Sequence, residues 1–555
     1  MKRIVVALAF AAAVAAAQPV VNTGGILNVA SYAPPGLPNS AIAQGSLFAI
    51  FGTGLGPTPG AAVYAYPLTP NGFQGTTVTV TVNGTTVKAP VLFTSANQIN
   101  AMLPSATPVG SGTLTVTYNN QTSAPVAIDV TAHSFGSFAV SQAGSGPAVI
   151  TNANYQPLSF TFAANAGEPM ILWGTGLGPV TGDENAGPLP GNMPSLPVKV
   201  YVGNQQATVT YQGRSGCCSG VDQIVFNVPA NVTGCAVPVA VQVGSTVSNY
   251  TTMPIASSGH VCSDNSVFSS TLFSQLSSKQ NAAVGSIILD RDAATTTLPP
   301  PLGNGTPTTT TTDGASADFS RYDYTSLQQY IAYLPVQTYG ACSVVTLTGN
   351  GQNSTGPKAQ STPLDAGPSL SMNGPGGAAQ IALISKGVYD STVGGGFGTS
   401  AKPLYYTPGS YTVNGTGGAD VGALQASVQF PANFTWTNQS SITSVTRSQG
   451  VTVSWTGADS TNGVFVTGFS LGGTDPNNLA GGLFYCHASG VSGSFTVPPV
   501  VLLALPPSYS IQGFSLATGL LGVATVAPYQ TFSAPGLDLG FIESMVEASE
   551  SVPYQ

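Results

Sequence analysis

Two segments of the chain carry glycines at spacings that could bind phosphate. Residues 52–57 and 174–179 both read GTGLGP, and each follows an apolar stretch that predicts a strand. Phosphate-binding loops place G-x-G-x-x-G at the start of a helix, where backbone N–H groups and the helix dipole meet the anion. Here the spacing is G-x-G-x-G, and Pro57-Thr58-Pro59-Gly60 follows the first copy. The glycines therefore indicate tight turns with positive φ at strand ends.

A second candidate is the segment Gly468-Phe469-Ser470-Leu471-Gly472, which matches the G-x-S-x-G nucleophile elbow. That motif requires a strand that turns sharply into a helix and exposes the serine to a histidine and an acid. His487 is the only histidine downstream, and Gly473-Thr474-Asp475-Pro476 favours no helix after the motif. We interpret the match as coincidental and keep a secreted serine hydrolase using Ser470 and His487 as an alternative.

Acidic residues flank a threonine-rich segment and could supply oxygen ligands to Ca²⁺, which takes six to eight of them. They are Asp290, Asp292, Asp313 and Asp318. No D-x-[DN]-x-[DN]-G loop surrounds them, so we interpret them as solvated turn positions. The sequence predicts no metal site and no cofactor.

The three tryptophans could act as platforms for stacking sugars. Trp173 aligns with Phe51 of the other GTGLGP segment, which predicts a core position. Trp436 and Trp455 lie in strands that alternate with Thr and Ser, so they are also predicted to face a core.

The even number of cysteines predicts disulfide bonds in an exported chain. We expect the first two to bond with the next two, which leaves Cys342 to bond with Cys486. A zinc site is the competing interpretation, but the chain has no C-x-x-C and only three histidines. The six cysteines are Cys217, Cys218, Cys235, Cys262, Cys342 and Cys486.

The composition indicates an all-β protein. Only 6% of the residues are charged, against about 25% in ordinary soluble domains. Thr, Ser, Asn and Gln supply the polarity instead, and these residues favour strands and turns. The 67 glycines and 43 prolines predict many tight turns.

The N-terminus has the features of a signal peptide. Lys2 and Arg3 precede an apolar stretch too short to span a bilayer, and an A-x-A cleavage site ends at Ala17, before Gln18. Cleavage changes the formal charge from −8 to −10, because two positive charges are lost. An acidic protein has no attraction to nucleic acid or anionic lipid. We expect a secreted or cell-surface protein without a membrane span.

The two GTGLGP segments belong to a duplicated unit of about 120 residues. GSLFAIFGTGLGP at residues 45–57 aligns with GEPMILWGTGLGP at residues 167–179. Alternating valines followed by a two-residue turn predict a β-hairpin in each copy. Further matches keep the same order along the chain: residues 28–32 with 152–155, 78–84 with 198–204, and 97–104 with 222–229.

This succession of an apolar strand, G-T-G-L-G, a hairpin and a Q-I-x-x-x-[VL]-P strand resembles the IPT/TIG immunoglobulin-like domains. More closely, the pair resembles a tandem, functionally uncharacterised domain family in secreted proteins of soil bacteria. The resemblance covers about residues 23–258 and implies immunoglobulin-like β-sandwiches. It transfers no catalytic residue. The segment GRSGCCSG, residues 213–220, lengthens the second copy and indicates a specialised loop.

The C-terminal half reads as two further β-sandwich modules. Residues 293–312 are rich in Thr and Pro and are interpreted as a long exposed hairpin loop, with an interdomain linker as the alternative. One short helix is predicted after Thr325, because apolar residues recur at helical spacing until Pro335. The predicted division is signal peptide 1–17, repeats 18–135 and 136–258, and modules 259–432 and 433–555.

Together these features predict a secreted, non-enzymatic modular protein that serves as an adhesion or binding scaffold. Its expected partners are extracellular polysaccharides or protein surfaces, and not nucleic acid. A structural component of a surface layer or filament is a further alternative.

Overall fold

The computed structural model describes residues 18–69, 71–262, 270–297, 305–323, 326–327, 330, 338–348, 361–396, 401–432, 434–473, 479–509 and 519–555. The predicted signal peptide and most of the predicted helix after Thr325 lie outside these residues. Strands dominate the described chain, which confirms the all-β prediction. No helix in these ranges is both long enough and apolar enough to cross a membrane.

The first repeat forms a sandwich of two sheets, with strand orders β1-β3-β8-β7-β4 and β2-β11-β9-β5-β6. Along β5, buried valines alternate with half-exposed threonines, so one face of the strand fills the core. Asn83 and Gly84 both have positive φ and close the predicted hairpin. The strands are β1 (Val20–Asn28), β2 (Ile42–Ala43), β3 (Leu47–Thr53), β4 (Ala61–Ala62), β5 (Thr76–Val82), β6 (Thr85–Ala89), β7 (Val91–Thr94), β8 (Gln98–Met102), β9 (Gly110–Tyr118), β10 (Gln121–Thr122) and β11 (Val126–Thr131).

The second repeat has the same topology, which supports the duplication inferred from the sequence. The order β15-β19-β18 corresponds to β3-β8-β7, and β22-β20-β17 corresponds to β11-β9-β5. One difference is that β18 runs unbroken through both sheets, whereas Pro90 separates β6 from β7. The strands are β12 (Gly136–Ser137), β13 (Ile150–Thr151), β14 (Ala164–Asn165), β15 (Pro169–Thr175), β16 (Gly191–Asn192), β17 (Val198–Val202), β18 (Gln205–Arg214), β19 (Asp222–Asn227), β20 (Gly234–Val243), β21 (Thr246–Val247) and β22 (Thr251–Ala256).

A 14-stranded sheet organises the C-terminal half, and a smaller sheet has the order β32-β33-β36. The helices are α1 (Ser270–Ser277) and α2 (Pro499–Leu503), and the 3₁₀ turns are Gln439–Ser441 and Gly490–Ser492. The strands are β23 (Asn281–Thr297), β24 (Pro307–Asp323), β25 (Cys342–Thr348), β26 (Ser361–Pro363), β27 (Ser369–Gly374), β28 (Gly377–Ser385), β29 (Val388–Gly395), β30 (Gly409–Gly415), β31 (Leu424–Phe430), β32 (Thr435–Trp436), β33 (Val451–Thr456), β34 (Gly463–Gly472), β35 (Ala480–Ser489), β36 (Ser494–Val497), β37 (Gly519–Val526), β38 (Gln530–Phe532) and β39 (Leu539–Ser551).

The threonine-rich segment belongs to a long hairpin rather than to a linker. Strands β23 and β24 pair along their whole length, from Asn281 opposite Asp323 to Thr297 opposite Pro307. The strands therefore extend into the predicted loop. Strand β23 also pairs in parallel with β39, near the C-terminus. Sheet pairing thus joins strands from both sides of residue 433. The division into modules 259–432 and 433–555 remains a prediction.

The core of the C-terminal half continues into the second repeat. Trp436 and Trp455 are 5% and 3% exposed, which confirms their predicted core positions. They share one buried cluster with Tyr250 and Val247 of the second repeat. The second repeat therefore packs directly against the C-terminal half.

Candidate functional site

The GTGLGP segments form turns at the ends of β3 and β15, as predicted. In the first repeat, Gly52 N and Leu55 N donate to carbonyl oxygens of Asn97 and Ala96 at 3.1 and 3.0 Å. In the second repeat, Gly176 and Gly178 have φ of 109° and 131°, a region that favours glycine.

The second GTGLGP turn holds a buried carboxylate instead of backbone carbonyls. Gly176 N and Leu177 N each donate to Asp222 Oδ2 at 2.7 Å. Arg214 Nη1 forms an ion pair with Asp222 Oδ1, and the two side chains are 2% and 0% exposed. Burial raises the pKa of the Asp222 carboxyl, whereas Arg214 and the two amides lower it.

Arg214 also connects the two repeats. Its Nη2 donates to Gly45 O of the first repeat at 2.6 Å and to Gly178 O of the second at 2.8 Å. Arg214 is the last residue of β18 and lies in the specialised segment 213–220, which therefore contributes directly to the junction. Sequence analysis identified the loop but missed the role of Arg214. The available signal was a single arginine, after Gly213, in a chain with only 6% charged residues.

Further hydrogen bonds fix the orientation of the repeats. Leu47 N donates to Thr175 Oγ1 at 2.9 Å, and Thr175 Oγ1 donates to Gly220 O at 2.6 Å. Ser105 of the first repeat also takes part, since its backbone N donates to Glu184 Oε2 of the second repeat at 2.8 Å. Such directed bonds make the tandem repeats one structural unit.

A cleft of about 360 Å³ lies between the repeats beside these bonds. This volume falls within the range of small-ligand sites. Met102 and Val180 give it apolar surface, whereas Asp183 and Glu184 make it acidic and therefore unfavourable to anions. Leu68 N of the first repeat donates at 2.7 Å to the backbone O of Asn185, which lines the cleft.

Two disulfide bonds are present, and only one matches the predicted pairing. Cys342 and Cys486 lie opposite each other on β25 and β35 and are bonded, as predicted. Cys235 is bonded to Cys262.

The prediction that Cys217 and Cys218 bond with Cys235 and Cys262 is wrong, since both are exposed free thiols. The physical reason is topological. Cys235 lies on β20, and Cys262 follows the neighbouring strand β22, so the two are close together. Residues 217 and 218 instead lie on the loop that faces the first repeat.

Ser470 and His487 do not form a catalytic pair, so the geometry contradicts the hydrolase alternative. Ser470 lies within β34, opposite Gly482, and is fully buried with its Oγ 2.9 Å from Ser508 Oγ. His487 is opposite Phe465. Strand geometry separates the two residues by roughly 16 Å along the sheet and places them on opposite faces.

The four aspartates are not solvated turn positions, contrary to prediction. They lie within β23 and β24, where Asp290, Asp292 and Asp318 are half-buried and Asp313 is buried. Arg291 donates to both oxygens of Asp313 at 2.7 and 2.8 Å. Across the described ranges, no three His, Cys, Asp or Glu side chains form a potential metal site.

Trp173 lies in a surface pair rather than in the core. It is half-buried, its Nε1 donates to Thr151 Oγ1 at 3.0 Å, and its ring lies 6.1 Å from that of Tyr155. Tyr155 is 65% exposed. The first repeat has the matching pair Tyr32 and Phe51, with ring centroids 6.2 Å apart. The alignment of Trp173 with Phe51 thus identified an equivalent position but not its exposure.

Structural comparisons find tandem β-domains at low similarity. The extracellular region of plexin A4, domains 1 to 8, matches with TM-score 0.17 and 15% identity over 43% of this chain and 18% of that chain. The chain covers 18% and 30% of the length of two plexin A4 structures that it matches.

Two bacterial structures also match. SGBP-B of the Bacteroides ovatus mixed-linkage glucan utilization locus, in complex with a mixed-linkage heptasaccharide, has TM-score 0.13 and 11% identity over 87% of this chain and 97% of that chain. The Escherichia coli adhesin FdeC has TM-score 0.14 and 14% identity over 72% of this chain and 91% of that chain.

The sequence comparisons concern the first repeat. No curated protein matches the chain. Residues 31–130 match the family model of the IPT/TIG domain. The first repeat is therefore IPT/TIG-like, as the pattern around the GTGLGP segments predicts.

Proposed function

We propose that this chain is an exported, non-enzymatic scaffold that binds extracellular polysaccharide or protein surfaces. The junction of the repeats carries the proposal. Arg214, Thr175 and Ser105 join two sandwiches into one unit, and the cleft lies at their shared surface. A fixed arrangement of two domains preserves the shape of a binding surface at low entropic cost.

The sulfur chemistry and the charge support an extracellular setting. Disulfides such as Cys235–Cys262 and Cys342–Cys486 persist in oxidising compartments. The predicted signal peptide provides a route of export. The sparse charge gives no electrostatic attraction to nucleic acid.

A retention experiment on the mature chain, starting at Gln18, tests the proposal. Insoluble cell-wall and plant polysaccharides and immobilised cell-surface proteins are incubated with the chain, and the bound fraction is measured after washing. We expect saturable retention on at least one surface. Retention that fails on every surface, or that does not saturate, contradicts the proposal.

Exposed apolar side chains on β28 favour a second candidate, a structural component of a surface layer or filament. Leu383 and Ile384 are 42% and 65% exposed on this strand. Exposed apolar side chains on a sheet can promote association between copies. This candidate predicts concentration-dependent self-association by light scattering, and Ile384→Lys should weaken it. A monodisperse monomer at high concentration would exclude it.

A further inference from the structure

Cys217 and Cys218 are adjacent, exposed thiols on the loop that distinguishes the second repeat from the first. The other four cysteines are bonded, so these two are the only free thiols of the chain. Their proximity allows each sulfur to react with a disulfide formed by the other.

The loop around this pair is held by hydrogen bonds at both ends. Cys217 N donates to Ser215 Oγ at 3.0 Å, and Val221 N donates to Cys218 O at 3.2 Å. Between them and the junction, Ser219 N donates to Tyr66 Oη at 2.7 Å, and Ser219 Oγ donates to Glu184 O at 2.9 Å. The thiols are therefore presented to solvent by an anchored loop at the edge of the junction.

We propose that Cys217 and Cys218 form a redox-active pair that closes to a vicinal disulfide by exchange with an external disulfide. In the first step, one thiolate attacks the external disulfide, forms a mixed disulfide and releases one external thiolate. In the second, the neighbouring sulfur attacks the mixed disulfide and releases the other. The pair loses two electrons and two protons, and the external disulfide is reduced to two thiols.

Both sulfurs are exposed, so either can make the first attack. The neighbouring sulfur then acts second, because it is held next to the mixed disulfide and the reaction is intramolecular.

The closed pair is expected to be labile. Adjacent Cα atoms lie about 3.8 Å apart, shorter than the roughly 4.4–6.8 Å usual for disulfides, and strain makes such a bond easier to reduce. Adjacent residues also enclose almost no chain, so the bond gains little from restricting the unfolded state. The other two disulfides enclose sequence separations of 27 and 144 residues and are structural.

The proposal is tested on the mature full-length chain equilibrated with reduced and oxidised glutathione at a series of ratios. Free thiols are then blocked with an alkylating agent, and the modified peptides are identified by mass spectrometry. We expect residues 217 and 218 to change together from two alkylated thiols to none, while both structural disulfides remain bonded. Two alkylated thiols at every ratio would overturn the proposal, and so would disulfide-linked dimers as the oxidised product.

Single serine variants test the two-step exchange. In Cys217→Ser and in Cys218→Ser the second sulfur is absent, so glutathione should remain attached to the cysteine that is left. Absence of attached glutathione in both variants contradicts the mixed-disulfide step. The readout requires no binding partner, so it stands apart from the proposed scaffold function.

Discussion

Arg214 and Asp222 form a buried ion pair at the junction of the two repeats, with side chains 2% and 0% exposed. The pair lies between the second GTGLGP turn and the carbonyl of Gly45 in the first repeat. Only 6% of the residues in the chain are charged, and two of them hold this junction together. In the equivalent turn of the first repeat, Gly52 N and Leu55 N donate to backbone carbonyls instead of to a carboxylate.

Asp222→Ala should strongly destabilise the junction. It leaves the Arg214 guanidinium buried without a counter-charge, which typically costs about 3–5 kcal/mol. We expect the first unfolding transition of the full chain to shift to lower temperature in calorimetry. The double variant Arg214→Met, Asp222→Leu removes both charges and should recover part of the loss, because the amides of Gly176 and Leu177 still lack their acceptor. A double variant no more stable than Asp222→Ala would contradict the assignment to the unpaired charge.

The stability of the C-terminal sheet should fall as the pH rises from about 4 to about 7. Burial raises the pKa of Glu543 and Glu547 to about 7, and burial and Asp292 raise that of Asp290 to about 6. Each folded pKa exceeds the unfolded value of about 4, so the folded state binds these protons more tightly. Stability is therefore greatest below the unfolded pKa and is lost as pH passes through the folded pKa.

These carboxyls share one face of the parallel pair β23 and β39. The double variant Glu543→Gln, Glu547→Gln should flatten the fall in melting temperature across this pH interval, measured at constant ionic strength. Asp129→Asn changes an exposed carboxyl of the first repeat and serves as the control. An unaltered slope in the double variant would assign the pH dependence to other groups.

Removing the Cys342–Cys486 disulfide should lower the stability of the C-terminal half. The bond encloses a sequence separation of 144 residues, and its loss in Cys342→Ala, Cys486→Ala should cost about 2–5 kcal/mol. Thermal unfolding monitored by circular dichroism measures the effect. Cys217→Ser, Cys218→Ser removes two exposed thiols and should leave the melting temperature unchanged. Similar shifts in both double variants would contradict the structural role of the bond.

The repeat and its sandwich topology are predictable from sequence because alternation and turn residues act over short distances. Val78 and Val80 alternate with threonines, and Asn83-Gly84 determines the hairpin, without reference to distant chain. The junction is not predictable in this way. Arg214 meets Gly45 across 169 residues of sequence, and no local pattern records that contact.

The same limit explains the errors in pairing and exposure. Cys235 and Cys262 are brought together by adjacent strands, so their bond depends on topology rather than on order among the cysteines. Trp173 aligns with Phe51, and the alignment shows that the two residues occupy equivalent positions. It does not show how exposed that position is. Asp290 and Asp292 resemble turn residues by type, whereas the parallel contact with β39 places them in a sheet.

Gly176→Ala should destabilise the second repeat because the GTGLGP turn requires a residue without a Cβ. Gly176 has φ of 109°, and a Cβ there would lie 2.2 Å from Ser134 O. Backbone strain of this kind costs about 1–3 kcal/mol. The matched control is Gly187→Ala, because a Cβ at Gly187 meets no atom within 4 Å and its φ is not positive. Chemical denaturation of the full chain should show a lower midpoint for Gly176→Ala only. Equal midpoints for the two variants would show that the turn tolerates a side chain and that the motif has another purpose.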